Sequence, residues 1–373
     1  IQRYLDQKFQ SHGVKNCYFP MFLSEDSLMK EKDHLEGFSP EVAWVTQYGD
    51  KQLEKKLAIR PTSETIMYPQ YAKWIDSHRD LPLLLNQWCN VVRWEFSNPT
   101  PFIRTREFLW QEGHSVHETE KDTDDFVLLI LDYYRAVYEE VLAVPVIKGY
   151  KSLNEKFAGS LRTSSIETLV PTNGKAIQCA TSHNLGQNFA KMFDIKYSDK
   201  KQNIQHCWQA SWGISTRSIG TMIMIHGDDN GLVLPPRVAQ IQVVLVPILA
   251  SSDKTGEITK KLAEVTDQLK KAGFRVKLDD GDLHTPGFKY NYWELRGVPL
   301  RIEFGKKDME KGVITLVPRD NLKKKFTVKI EDAISAIGST LDEIQARLFI
   351  NAKEKLDNQT NEAKDFDTFH RLL

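Results

Sequence analysis

The chain opens on a polar stretch in which apolar side chains recur at Tyr4, Leu5 and Phe9, the spacing of an amphipathic helix over residues 1–12 that stops at Gly13. An apolar run over 16–22 then predicts a strand, and alternation at 42–45 and 57–59 predicts two more. Pro61-Thr62-Ser63-Glu64-Thr65 has the form of a strand end followed by a helix start, with Ser or Thr capping a helix over 67–75. Residues 120–142 begin with acids and place Phe126, Leu129, Ile130, Tyr133, Val137 and Leu142 at helical spacing. Short strands broken by Gly174, Gly186, Gly213, Gly220 and Gly227 fill the stretch to about residue 234. Strands grouped together with helices set apart predict an α+β fold built on an antiparallel sheet.

Pro235-Pro236 marks a boundary, because the pattern beyond it changes. Strand (240–247), helix (256–272), strand (274–278), a Pro/Gly turn, two strands (300–304 and 313–317) and a helix (330–348) predict a smaller α/β domain with a mixed sheet. The tail after Phe349 is polar and reads as a helix fading into a linker.

Composition narrows the class of protein. The chain has 373 residues, 41% hydrophobic and 27% charged, enough for two domains with real cores. No stretch approaches the roughly 18 apolar residues of a membrane helix; the most apolar one, 238–250, is interrupted by Gln240, Gln242 and Pro247. The net charge of zero argues against a simple polyanion binder, yet residues 237–340 hold 19 Lys+Arg against 14 Asp+Glu. That local excess suits either nucleic acid or an ordinary solvated surface. Cys17, Cys89, Cys179 and Cys207 form no C-x-x-C, so neither a zinc knuckle nor a disulfide framework is indicated. The start at Ile1, inside an amphipathic run, suggests a missing natural N-terminus.

Two arginine-bearing segments carry the candidate chemistry. The first reads Arg93-Trp94-Glu95-Phe96, a Pro-containing loop, then Arg104-Thr105-Arg106-Glu107-Phe108-Leu109-Trp110-Gln111-Glu112; the second is Trp212-Gly213-Ile214-Ser215-Thr216-Arg217. On a strand-turn-strand, the first offers permanent cations, an aromatic face and acceptors. That combination suits a nucleoside triphosphate. Guanidinium forks grip phosphate oxygens bidentately and are not switched off by deprotonation. A ring stacks on the base, and a carboxylate accepts from an exocyclic amine.

The first segment resembles motif 2 of the class II aminoacyl-tRNA synthetases and the second resembles motif 3. The opening helix, with the strand ending at Pro20, resembles a clipped motif 1. Within that class the chain is most similar to the prolyl-tRNA synthetases of the eukaryotic and archaeal type. The similarity runs through Arg60-Pro61-Thr62-Ser63-Glu64-Thr65, Trp110-Gln111-Glu112-Gly113-His114 and Trp293-Glu294-Leu295-Arg296-Gly297-Val298-Pro299. It implies an antiparallel-sheet catalytic domain over 1–236, an anticodon-binding α/β domain over 237–340, and in 341–373 the start of a C-terminal extension continuing past Leu373. It further implies ATP and L-proline as substrates, Mg²⁺ with the triphosphate, and tRNA(Pro) as acceptor. A homodimer joined through motif 1 and a cytoplasmic location follow from the same resemblance.

Residue roles carry over in the same way. Arg93 is implied on the α-phosphate, Glu95 on the adenine amine, and Phe108 under the ring. Arg104 and Arg217 flank the base and γ-phosphate of a bent ATP, with Thr105, Gln178 and Thr181 completing the nucleotide set. Thr62 and Glu64 are implied to grip the imino group, although Thr62 also reads as a plain helix cap. Trp110, Glu112, His114, Phe157, His183 and Ser211 are implied around proline together with Arg93, and Glu112 and Gln178 are also candidate magnesium or phosphate contacts. Arg296, Arg301, Lys306 and Lys307, interleaved with Trp293 and Phe304, are implied against unpaired anticodon bases, with a solvated charged face the alternative for each.

The chain departs from the family pattern at Cys179-Ala180, where Gly-Gly is expected, and at Ser160-Leu161-Arg162, where Gly-Asp-Tyr is expected. The interval from Glu112 to Trp212 has no room for the large editing insertion of bacterial relatives. Two rival readings stand beside this one. The first is another class IIa synthetase such as the threonyl enzyme, whose zinc-binding Cys/His/His spacing Cys179 and His183 do not reproduce. The second is a synthetase-like protein that binds tRNA or a partner without catalysis, against which intact Arg93, Arg104 and Arg217 speak.

Overall fold

The computed structural model describes residues 1–26, 28, 42–94, 98–249 and 256–372. They divide into two compact units. The first comprises Ile1–Val137, Val146–Leu169 and Ala176–Thr221, and the second comprises Tyr138–Pro145, Val170–Lys175 and Met222–Leu373.

The strands before residue 217 are, in chain order, β1 (Lys15–Asn16), β2 (Phe22–Ser24), β3 (Trp44–Tyr48), β4 (Lys51–Ile59), β5 (Leu83–Val92) and β6 (Glu107–His117). They continue as β7 (Ile147–Tyr150), β8 (Arg162–Val170), β9 (Lys175–Gly186), β10 (Lys196–Ser198), β11 (Ile204–His206) and β12 (Trp208–Ser215). Seven of them form the main sheet in the order β1-β5-β6-β12-β9-β8-β7. β1 runs parallel to β5, whereas β5–β6, β6–β12, β12–β9 and β7–β8 are antiparallel, the α+β arrangement expected from the grouping of strands. A small antiparallel sheet, β2-β4-β3, and the hairpin β10–β11 flank it.

The apolar run over 16–22 is two strands rather than one. β1 stops at Asn16 because side chains replace the ladder beyond it. The Phe19 N–H donates to the Gln87 side chain, and the buried Arg60 guanidinium donates to Phe19 O at 2.7 Å. Pro20 has no N–H to continue the pairing. The expected breaks at Gly213 and Gly220 also fall away, since they lie inside β12 and inside the helix Arg217–His226. At Gly220 the reason is close packing: a Cβ there would sit 2.5 Å from Ile103 Cδ1.

Helix Glu120–Ala136 starts where the Thr119 hydroxyl accepts from the Asp122 N–H at 3.1 Å, and a π-helical turn, Val137–Val141, follows it in place of continued α-helix. The helix packs on the sheet through Phe126, whose ring lies 5.2 Å from that of Trp212. Trp212 in turn occupies space that Gly113, its register partner on β6, leaves open. On the other face, Phe19, Met67, Tyr68, Tyr71, Leu85, Val116, Leu185 and Phe189 form the core.

The second unit holds β13 (Val243–Ile248), β14 (Val276–Leu278), β15 (Leu300–Gly305), β16 (Val313–Pro318) and β17 (Phe326–Lys329), ordered β14-β13-β15-β16-β17. β13 pairs in parallel with both β14 and β15, and the remaining pairs are antiparallel, giving the expected mixed sheet. Leu245, Leu262, Leu269, Ile302, Phe304, Leu316, Ile337 and Ile344 build its core. The expected Pro/Gly turn is instead the start of a helix, Pro286–Leu295. Thr285 caps it and Pro286 fills a first-turn position that needs no N–H partner. β17 escaped the sequence reading because only Phe326 and Val328 alternate beside a run of lysines. The last long helix, Ala333–Asn358, runs ten residues past the expected end at 348, since Ala352 and Leu356 are still buried.

Gly113→Ala tests the packing behind the sheet. The added Cβ would lie 2.0 Å from Trp212 Cε2, so overpacking should cost about 1–3 kcal/mol, read as a lower urea midpoint at unchanged m-value.

Candidate active site

The loop before helix Glu64–Trp74 delivers three polar side chains to one place. Ser63 holds the N-cap position, yet its hydroxyl does not cap the helix, contrary to the expectation for Ser63. It donates to Glu112 Oε1 at 2.5 Å while the Ser63 N–H donates to Oε2 at 3.2 Å. Thr62 donates to the carboxylate of Glu64, and both residues are buried.

Glu112 on β6 is the floor of the site. Besides Ser63 it accepts from Gln87 Nε2 at 3.0 Å, Cys89 Sγ at 3.4 Å and His114 Nε2 at 3.1 Å. Burial raises the Glu112 carboxyl pKa, but His114, Ser63 and Gln87 outweigh it and leave the value below the ordinary one. Burial lowers His114, but the bond to Glu112 and the charges of Glu64 and Glu112 outweigh that and leave its pKa raised. Both directions are those of a histidine–carboxylate pair in which each member favours the charge of the other, and Tyr68 Oη lies 3.0 Å from His114 Nδ1. His183 on β9 is the opposite case. Burial and then the charge of His114 push its pKa down to about 3, so it is neutral.

Arg93 leaves the end of β5 and donates Nε–H to Pro61 O at 2.9 Å. Its Cζ sits 5.6 Å from the Phe108 ring centre and 5.2 Å from that of Trp110. Those two rings meet edge to face at 5.7 Å, and the Trp110 N–H is fixed on Cys89 Sγ at 3.3 Å. Arg217, at the start of its helix, donates Nε–H to Ile103 O at 3.0 Å, tying the β5–β6 loop to the helix.

These groups surround one cavity of about 300 Å³. Thr62, Glu64, Arg93, Phe108, Trp110, Glu112, His114, Phe157, Gln178, Thr181, His183, Ser211 and Arg217 all line it. Arg104 and Thr105 line an adjoining hollow of about 60 Å³ together with Arg93, Phe108 and Arg217. Glu95 lies outside the described residues. Sequence reading missed Glu155, Thr163 and Ser215 on the same wall. No local motif marks Thr163; only its hydroxyl contact to His183 does.

Glu64, Glu112 and His114 bring ligand atoms within 4.8 Å of one another. They do not suit a resident metal ion. A metal needs free lone pairs, and the oxygens of Glu112 already accept from Ser63, Gln87 and His114. Glu112, expected also as a magnesium or phosphate contact, is held in this structure by donors from Ser63, Gln87, Cys89 and His114.

In the second unit, Arg301 is committed inside the protein. It pairs with Glu294 and, at 2.9 Å, with Glu303, and its Cζ lies 4.2 Å over the Tyr290 ring. Phe304 is wholly buried and Trp293 donates to Asp279 at 2.7 Å. Base contacts are thus withdrawn for Arg301 and Phe304. Arg296, stacked 3.5 Å over Tyr292, and Lys306 and Lys307 are exposed.

Residues 44–226 match the tRNA synthetase class II core domain (G, H, P, S and T), and residues 242–340 match the anticodon binding domain. The whole chain is 52% identical to the cytoplasmic proline–tRNA ligase of Arabidopsis thaliana, of which it spans 70%. The chain belongs to the proline–tRNA ligase family. It is also 50% identical to the family member of Encephalitozoon cuniculi, spanning 75% of it, and 49% identical to the bifunctional glutamate/proline–tRNA ligase of Mus musculus, spanning 25%. Among solved structures, the prolyl-tRNA synthetase of Cryptosporidium parvum complexed with halofuginone and AMPPNP matches all of this chain and 74% of its own. The TM-score is 0.95 at 52% identity.

The buried pair gives this family member a testable pH signature. Its stabilisation is complete between the unfolded pKa values of Glu and His, about 4.3 and 6.5. It fades as pH rises through the raised His114 pKa or falls through the lowered Glu112 pKa. Glu112→Gln should drop the His114 pKa below the ordinary value, read by NMR titration, and cost about 3–5 kcal/mol in urea unfolding.

Proposed function

We propose that this cleft joins L-proline to ATP as prolyl-adenylate and then passes the prolyl group to the 3′ end of tRNA(Pro). The observation that carries the reading is the meeting of Arg93, Arg217 and the Thr62–Glu64 pair on one cavity wall. The carboxylate of Glu64 and the oxygen of Thr62 suit a secondary ammonium. Arg93, braced from behind by Pro61 O, suits the proline carboxylate and the α-phosphate together.

In the first step a carboxylate oxygen of proline forms a bond to the α-phosphorus. The bond from that phosphorus to the bridging oxygen breaks, and pyrophosphate leaves with the electron pair. No side chain acts as nucleophile. Alignment and the fixed guanidinium charge carry the rate. In the second step a ribose hydroxyl of the tRNA end attacks the acyl carbon and AMP departs. Mg²⁺ enters with the triphosphate as part of the substrate. Phe108 supplies the face for adenine, while Arg104, Thr105, Gln178, Thr181 and Arg217 complete the nucleotide contacts. That the Cryptosporidium parvum relative was solved with AMPPNP supports this assignment.

The domain division at Pro235-Pro236, a homodimer and a cytoplasmic location complete the reading. Arg296, Lys306 and Lys307 are the anticodon candidates that remain exposed.

Pyrophosphate exchange across the twenty amino acids should respond to proline and not to threonine. Arg93→Ala should reduce the proline signal by about 10²–10³-fold with an unchanged circular dichroism spectrum. Near-normal exchange by that variant, or a threonine response in the native protein, would sink the assignment.

A further inference from the structure

Two hydroxyls and the Phe157 backbone, at the edge of the cleft, bear on where the hydrogens of His183 lie. The Phe157 N–H donates to Thr163 Oγ1 at 2.9 Å. Ser160 Oγ is 2.7 Å from Phe157 O, a carbonyl that can only accept, so Ser160 spends its single hydrogen there. Ser160 Oγ is also 3.1 Å from Thr163 Oγ1, and with no second hydrogen it can only be the acceptor in a bond between them. That bond uses the one hydroxyl hydrogen of Thr163. Taken as one continuous chain of hydrogen bonds, the remaining contact, 2.9 Å between Thr163 Oγ1 and His183 Nδ1, runs from Nδ1–H to the Thr163 oxygen. Ser160 and Thr163 are 1% and 3% exposed, so bulk water does not compete for these bonds.

A neutral imidazole with its hydrogen on Nδ1 carries a bare lone pair on Nε2. Burial and the charge of His114 keep the ring neutral. His183 lines the cavity, its ring held 4.9 Å from that of Phe157. We propose that Ser160 and Thr163 are positioning residues that lock His183 as the Nδ1–H tautomer, so that Nε2 reads the ammonium of the imino acid as an acceptor. The inference rests on the proline reading above. An imino acid has two polar ends, and only the ammonium has hydrogens to give. A lone pair repels the carboxylate, so His183 and Glu64 hold one end and Arg93 the other. The opposite tautomer would offer an N–H to the carboxylate and invite the substrate in reversed. Ser160, within the segment that departs from the family pattern, is the end stop of the chain of bonds.

The test uses the full chain labelled with ¹⁵N-histidine, with His183 assigned by difference from His183→Gln, together with proline-dependent pyrophosphate exchange. Native protein should show a protonated Nδ1 and a bare Nε2. Ser160→Ala releases the Thr163 hydrogen to point at Nδ1, so the spectrum should move toward a tautomer mixture. The KM for proline should then rise about tenfold at unchanged KM for ATP. Thr163→Ser, which keeps the hydroxyl, should retain the native spectrum, and Thr163→Val should not. A native Nε2–H, or a Ser160→Ala protein whose tautomer or proline KM does not move, overturns the inference. Absence of any proline-dependent exchange in the native protein would instead overturn the functional reading, while the tautomer would still be legible in the spectrum.

Discussion

The cleft is organised by one buried carboxylate. Glu112 receives hydrogen bonds from the loop before helix Glu64–Trp74 through Ser63, from β5 through Gln87 and Cys89, and from its own strand through His114. Each donor lies beside, holds or is a side chain of the cavity wall. Ser63 sits between Thr62 and Glu64, Cys89 holds the indole of Trp110, and His114 is itself on the wall. A charge in such a dry place is tolerable only when fully paired. The pairing requirement therefore sets the relative placement of three chain segments more tightly than apolar packing alone would.

Two histidines in one cavity are shifted in opposite directions for identifiable reasons. His114 bonds to a carboxylate, which raises its pKa; His183 contacts the Thr163 hydroxyl and the Phe157 ring, and burial pushes its pKa down to about 3. Glu64, Glu112 and Arg93 lay out charges across the cavity before any substrate arrives, and His183 adds a polar atom without a charge. A zwitterion entering such a site meets a preset polarity, and little reorganisation is left for the chemical step.

The elements that position this site were largely legible in the sequence. Phe108, Trp110 and His114 share a face because they alternate along β6, while Arg93 and Arg217 were marked by motif spacing at a strand end and a helix start. What the sequence hid were decisions made in three dimensions. Ser63 looked like a cap, and only the approach of Glu112 from another strand redirects its hydroxyl. Arg301 looked like an exposed cation until Glu294 and Glu303 closed around it. Gly213 and Gly220 looked like breaks because a missing side chain reads the same in a turn and in a tight contact. Thr163 carried no signal, since a hydroxyl that orients a ring has no sequence spacing.

Trp212 shows a further consequence of the sheet's alternation. Its ring lies over Gly113 toward Phe126 and the helix, while Ser211 and Ser215 on the same strand line the cavity. One strand thus serves two selective demands through neighbouring positions. A change at Gly113 or Phe126 therefore alters packing behind the sheet first, while a change at Ser211 or Ser215 alters the cavity first.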